Sequence, residues 1–319
     1  MSWQSAIACW LLRKQFRPET LNPHVSVERA RAHAASRVWR PKVPAGWRLV
    51  VRDRRADAPL CGEWLERECD SERGAPVRTL LYCHGGGYYF CSPSSHRPLV
   101  FGLAARSGAR TFSLDYRLAP EHPFPAALDD ALAAYRRLVA DGTPPDSIVV
   151  AGDSAGGGLA LASLAALRDA GDPLPAAAVL FSPWTDLAAT GATIVSNDGI
   201  DPMFCGAAIG RAAKFYIGEA SPTHPYLSPL YADLRGLPPL LIQAGSTEVL
   251  LDDARRVAER ARASGVSVEL EVWPKMPHVW QLWAPFVPEA KSALEHAAQF
   301  VRRHARERAA QVAFDAAAR

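Results

Sequence analysis

The chain has 319 residues, 49% of them hydrophobic and 22% charged, an ordinary balance for a globular core. Its net charge of +3 is small and no Lys/Arg block stands out, which argues against a nucleic-acid partner. The first apolar run, Trp3 to Leu12, is too short to span a bilayer and has its basic residues after it, so neither a secretion signal nor a stable membrane association is expected.

Residues 1–40 read as helical. Strands are expected near 47–52, 61–66, 77–83, 109–114, 146–151, 176–182, 239–244 and 266–273, and helices over about 95–107, 124–141, 155–170, 250–264 and 285–308. From residue 77 onward strands alternate with helices, the pattern of a parallel doubly wound sheet; the strands before it lack helices and read as an antiparallel edge. The alternation breaks at 183–237, a stretch too long for one crossover, with a helix expected around Ala207–Ile217. An insertion over strand C-terminal ends is normally a lid. The expected division is therefore a core of 41–182 and 238–319 under a helical cap of 1–40 and 183–237.

Two glycine-rich turns carry the chemistry. Gly152-Asp153-Ser154-Ala155-Gly156 follows the apolar run Ser147–Ala151 and precedes an alanine-rich helix, the strand–turn–helix context of a nucleophile elbow. Two glycines allow strand and helix to approach closely while Ser154 stands in a strained turn, with the Ala155 amide at a helix N-terminus. About 70 residues upstream, His84-Gly85-Gly86-Gly87 closes the run Thr79–Cys83 and can turn successive amides inward. Gly85, Gly86 and Ala155 are taken as the oxyanion donors.

A serine nucleophile needs an acid and a base, here in the chain order Ser, Asp/Glu, His. His278 follows the last strand, between prolines and aromatics, where the base of such a site belongs; His24, His33, His296 and His304 lie on charged stretches that suggest the surface. Glu248 lies in the loop after Leu240–Ala244 and is the favoured acid. Asp252 is the alternative, although it and Asp253 fall in the first turn of the next helix, where a carboxylate also stabilises the helix dipole.

With the two glycine turns, the segment Asp115-Tyr116-Arg117-Leu118-Ala119-Pro120-Glu121-His122-Pro123-Phe124-Pro125-Ala126-Ala127 makes the chain resemble the bacterial hormone-sensitive-lipase family of esterases over roughly residues 40 to 300. The resemblance implies an α/β-hydrolase fold, a mostly parallel eight-stranded sheet flanked by helices with a helical cap, no cofactor or metal, and hydrolysis of short to medium acyl esters. It implies Ser154 as nucleophile and His278 as base, and aligns Glu248 with the family's usual aspartate. That glutamate variant resembles acetyl hydrolases and monoterpene lactone hydrolases, so an ester or a lactone is the expected substrate. Amide deacylation, or a receptor built on an inactive hydrolase, are the rival readings.

Tyr88, after the glycine loop, and Trp280, after the base, are expected to line an apolar substrate pocket. Cysteines 9, 61, 69, 83, 91 and 205 follow no metal or disulfide spacing, and free thiols in a cytoplasmic protein are expected. Pairing through an edge strand or the C-terminal helix leaves a homodimer open.

Overall fold

The structure, a computed structural model, describes residues 1–24, 26–36, 41–52, 60–68 and 76–309. Helices α1 (Trp3–Gln15), α2 (Arg17–Leu21) and α3 (Val27–Ser36) precede strands β1 (Trp47–Arg52) and β2 (Gly62–Arg67). Then come β3 (Thr79–Cys83), α4 (Pro93–Ser107), β4 (Arg110–Leu114), α5 (Ala126–Ala140), β5 (Ile148–Asp153), α6 (Ala155–Asp169) and β6 (Ala177–Phe181). The insertion carries α7 (Thr193–Ser196) and α8 (Gly206–Ile217), and β7 (Leu240–Gly245), α9 (Leu251–Ala263), β8 (Val268–Trp273) and α10 (Pro288–His304) complete the order.

All eight expected strands form one sheet, ordered β1-β2-β4-β3-β5-β6-β7-β8. Only β2 runs against its neighbours; every other adjacent pair from β4 to β8 is parallel. Such a sheet is buried on both faces, so its strands read as continuous apolar runs rather than alternations. The alternation survives in where side chains go: Ile148 and Val150 of β5 join the core under α5, α6 and α9, and Val149 and Ala151 join the core under α4 and α10.

The insertion divides in two. Its first part carries α8, whose Ala208, Ile209 and Ala212 face a cavity at the C-terminal end of β5. The rest packs downward, with Leu227, Leu230 and Leu234 buried in the core beside α6, and Arg168 of α6 donates to the carbonyls of Asp233 and Arg235. The C-terminal helix ends at His304, short of the expected 308, where Ala305 turns extended. Cys9, Cys61, Cys83, Cys91 and Cys205 are free thiols, and Cys69 lies outside the described residues.

Candidate active site

Ser154 sits between β5 and α6 with φ 53° and ψ −122°, a left-handed conformation that costs a residue with a Cβ on the order of 1–3 kcal/mol. The glycines around it are sterically obligatory. A Cβ on Gly152 would fall 2.3 Å from the Gly156 carbonyl oxygen, and one on Gly156 would fall 2.0 Å from that of Cys83. The fold holds the strained turn because strand, helix and glycine loop touch backbone to backbone there.

His278 follows β8 and is buried; its Nδ1 lies 2.8 Å from Glu248 Oε2. The other carboxylate oxygen, Oε1, accepts from Ser182 Oγ at 2.7 Å and from the Gly245 N–H. Ser182 Oγ in turn accepts the Val279 N–H at 3.1 Å, so one hydroxyl ties Glu248 to the residue after His278. Burial by itself would lower the His278 pKa, but the Glu248 charge and hydrogen bond, with the charges of Asp201 and Asp153, outweigh it and hold the imidazole above its ordinary value. Nε2 of His278 is buried without a hydrogen-bond partner.

Asp252 and Asp253 are engaged elsewhere. Asp252 Oδ2 accepts the Thr193 N–H at 3.1 Å, and Asp253 Oδ2 accepts those of Thr185 and Asp186 at 2.8 and 2.9 Å. Both stand in the first turn of α9, as expected, yet they brace the insertion as well as facing the helix dipole.

The glycine loop departs from the expectation by one residue. The Gly85 N–H donates to Asp153 Oδ1 at 3.0 Å, and a Cβ there would lie 2.2 Å from Asp153 Oδ2, so Gly85 is turned toward the core. Asp153 also accepts from Tyr82 at 2.6 Å and lies 3.1 Å from His96 Nε2. Burial would raise its pKa; the charge and hydrogen bond of His96 and the Tyr82 hydroxyl bring it below the ordinary value. Gly86 and Gly87, with φ of 114° and 58°, line the cavity instead. Among the described residues their amides, and that of Ala155, hold no protein acceptor.

Ser154 and His278 open on one cavity of about 570 Å³, lined mainly by apolar side chains from α1–α3, the glycine loop, the insertion and the segment after His278. A family profile described as alpha/beta hydrolase fold matches residues 80–282. The chain belongs to that family. Among its relatives is an acetyl-hydrolase of Streptomyces hygroscopicus, 52% identical over 238 residues that cover 73% of this chain and 80% of that protein. An esterase of Acinetobacter venetianus is 36% identical, over 72% of this chain and 76% of its own. The crystal structure of an esterase from the bacterial hormone-sensitive lipase family superposes with a TM-score of 0.85 at 40% identity, covering 95% of this chain and 99% of that one. This α/β-hydrolase is thus a member of the bacterial hormone-sensitive-lipase group.

Two expected pocket residues of the hydrolase are placed elsewhere. Tyr88, at φ 66°, is buried with its ring stacked on Tyr216 at 3.8 Å; Trp280 is buried among Ala8, Met276 and Val287. Neither lines the cavity, whereas their neighbours Tyr89, Phe90, Leu282 and Trp283 do. Of the histidines read as surface, His24 and His33 stand at the cavity wall on the cap side.

Four polar residues around the site have no sequence signal of their own. Ser182 donates to Glu248. Arg31 of α3 straps the cap to the loops below, donating to the carbonyls of Tyr89 and Ala119 at 2.9 Å and pairing with Glu121. Asp201 is fully buried: Oδ1 accepts the Met203 and Phe204 N–H groups at 2.7 and 3.1 Å, and Oδ2 accepts that of Val249 at 2.9 Å. Its carboxylate, pushed up by burial, thereby joins the cap to the loop carrying Glu248. Asn197 adds a second tie, from Nδ2 to the Glu248 carbonyl at 2.8 Å, and the Phe204 ring packs edge-on against His278 at 5.1 Å. Among the described residues no group of three or more His, Cys, Asp or Glu side chains is arranged to hold a metal.

Proposed function

We propose that the protein is a cofactor-independent serine carboxylesterase acting on small, uncharged acyl esters in the cytoplasm. Ser154 Oγ attacks the ester carbonyl while His278 Nε2 takes its proton. Glu248 keeps the remaining imidazole proton on Nδ1 and faces the imidazolium that forms. The amides of Gly86, Gly87 and Ala155 receive the oxyanion. His278 then gives its proton to the leaving alkoxide, and water cleaves the acyl-enzyme by the same route, regenerating the free serine.

The observation that carries this reading is the buried Glu248–His278 pair, its unpartnered Nε2 on the same cavity as a serine held at a strained elbow. The cavity volume suits short to medium acyl chains, and its apolar walls favour uncharged ones. Relatives named acetyl-hydrolase and esterase support the reaction class. Five described free thiols suit a reducing compartment.

The test is turnover on p-nitrophenyl esters from acetate to palmitate, with lactones and anilides alongside, for the wild type and Ser154→Ala. Short to medium esters should be cleaved best, and the variant should lose about 10⁴–10⁶ in kcat with its fold intact. A variant retaining more than about a tenth of the rate removes Ser154 from the mechanism. Preferred turnover of lactones or anilides would move the assignment to a lactone hydrolase or an amide deacylase.

A further inference from the structure

Helix α1 is apolar on two opposite faces. Ser5, Ala8 and Leu12 are buried against the core, while Trp3, Ile7 and Trp10 are 70%, 48% and 58% exposed. Those three stand at i, i+4 and i+7, so they form one stripe along the outer face. A surface helix normally turns polar residues outward, and two bare indoles in line depart from that rule.

Further exposed apolar residues stand on the segments bound to either end of the helix. At its N-terminus Ser2 hydrogen-bonds Glu289, which brings in Phe286, itself exposed and part of the cavity wall. At its C-terminus Arg13 donates to the carbonyls of Gly199 and Ile200 at 3.0 and 2.7 Å, bringing in the exposed Ile200. Leu11, Leu12 and Phe16 of the same segment line the cavity. Leu11 stands one turn from Ile7 on the same side of the helix, so the outer stripe borders the cavity wall.

Charge selects the occupant. Helix α1 contains no acidic residue and ends in Arg13 and Lys14, whereas Arg17, Arg29 and Arg31 farther along are already paired with Asp198, Glu19 and Glu121. Exposed tryptophans beside a basic turn match the interface of an anionic bilayer, where indoles sit at headgroup level and lysines meet lipid phosphates.

We propose that the outer face of α1, with Phe286 and Ile200, is a docking surface for an anionic lipid membrane. The helix lies on the surface without crossing it. Among the described residues none is long and apolar enough to span, and a single short interfacial helix binds reversibly. Resting on the esterase reading, docking also names a substrate class: uncharged acyl esters partitioned into the bilayer, entering beside Phe286.

The test is co-sedimentation of the full chain with vesicles of phosphatidylcholine alone and of phosphatidylcholine with phosphatidylglycerol in equal parts. The wild type should pellet with the anionic vesicles, less so as salt is raised, and hardly with the neutral ones. The double variant Trp3→Ser/Trp10→Ser should lose about tenfold or more of that partitioning, and Lys14→Glu should lose a smaller share. Neither tryptophan lines the cavity, nor does Lys14, so hydrolysis of soluble p-nitrophenyl acetate by the double variant should stay at the wild-type rate, with unchanged circular dichroism. Absence of wild-type pelleting, or equal pelleting of the double variant, overturns the proposal. So does a concentration-dependent dimer in light scattering that the double variant abolishes, since the face would then serve self-association. Binding is read without turnover, so a chain that binds vesicles but cleaves no ester would sink the esterase assignment and leave the docking surface standing.

Discussion

Replacing Glu248 by glutamine probes the site at its centre, because the structure dictates how the new side chain must lie. Oε1 of Glu248 accepts from both Gly245 N–H and Ser182 Oγ, and a buried backbone donor has no substitute acceptor there. The glutamine carbonyl must therefore take that place, which leaves its NH₂ facing His278 Nδ1. Two donors cannot share that 2.8 Å contact, so the imidazole is driven to the tautomer with its proton on Nε2, where it cannot accept one from Ser154. Forcing the working tautomer leaves an unmatched buried pair, about 1–3 kcal/mol, and the imidazolium loses an opposite charge worth about 4 kcal/mol at an effective dielectric of 20. The amide dipole and local relaxation recover part of this, for a net of about 3–5 kcal/mol. At about 1.4 kcal/mol per decade the expected loss in kcat is about 10²–10⁴, with KM and melting temperature little changed. Steady-state kinetics on p-nitrophenyl acetate, with a melting curve for each protein, is the assay. A Glu248→Gln enzyme within about tenfold of wild type would refute the reasoning.

Asp252→Asn should leave kcat near wild type, since its carboxylate holds the Thr193 amide rather than the base; a dead Asp252→Asn enzyme would hand the acid's role to that residue. For pH, kcat/KM should rise as His278 loses its proton, on a limb displaced above the ordinary histidine value because Glu248 outweighs burial. A limb at or below that value would contradict the burial and charge balance at the base. Burial, with the Asp186 charge beside it, pushes Asp253 up to about 7 despite the two amides it accepts. The fold thus favours its protonated form: this contribution to stability is complete below the ordinary carboxylate pKa and fades as pH rises through about 7. Melting temperature should accordingly fall less across that window in Asp253→Asn than in wild type, and parallel curves would show that Asp253 stays ionised.

What the sequence disclosed was local. The elbow is five consecutive residues whose glycines are required by contacts with the adjoining strand and helix, and the parallel strands announce themselves as apolar runs. The structure pairs His278 with Glu248 in the loops after two strand ends, which is where chain order in this fold directs attention. The choice among Gly85, Gly86 and Gly87 was not, because it depends on loop dihedrals and on Asp153, 68 residues away. Tyr88 was misplaced for a similar reason: its positive φ turns the ring inward onto Tyr216 and leaves Tyr89 on the cavity. Ser182 and Asp201 act on partners 66 and 48 residues distant, with no motif to mark either.

The Asp201 carboxylate has a consequence for anyone wishing to recombine such enzymes. A roof fastened through Asp201 and Asn197 to the very turn that presents Glu248 is not an exchangeable cassette. Grafting a foreign lid onto this core would orphan the Val249 amide and remove the Phe204 ring from the flank of His278. A chimera built to broaden substrate range must therefore transplant residues 246–250 together with the lid. Otherwise it loosens the surroundings of Glu248 and His278.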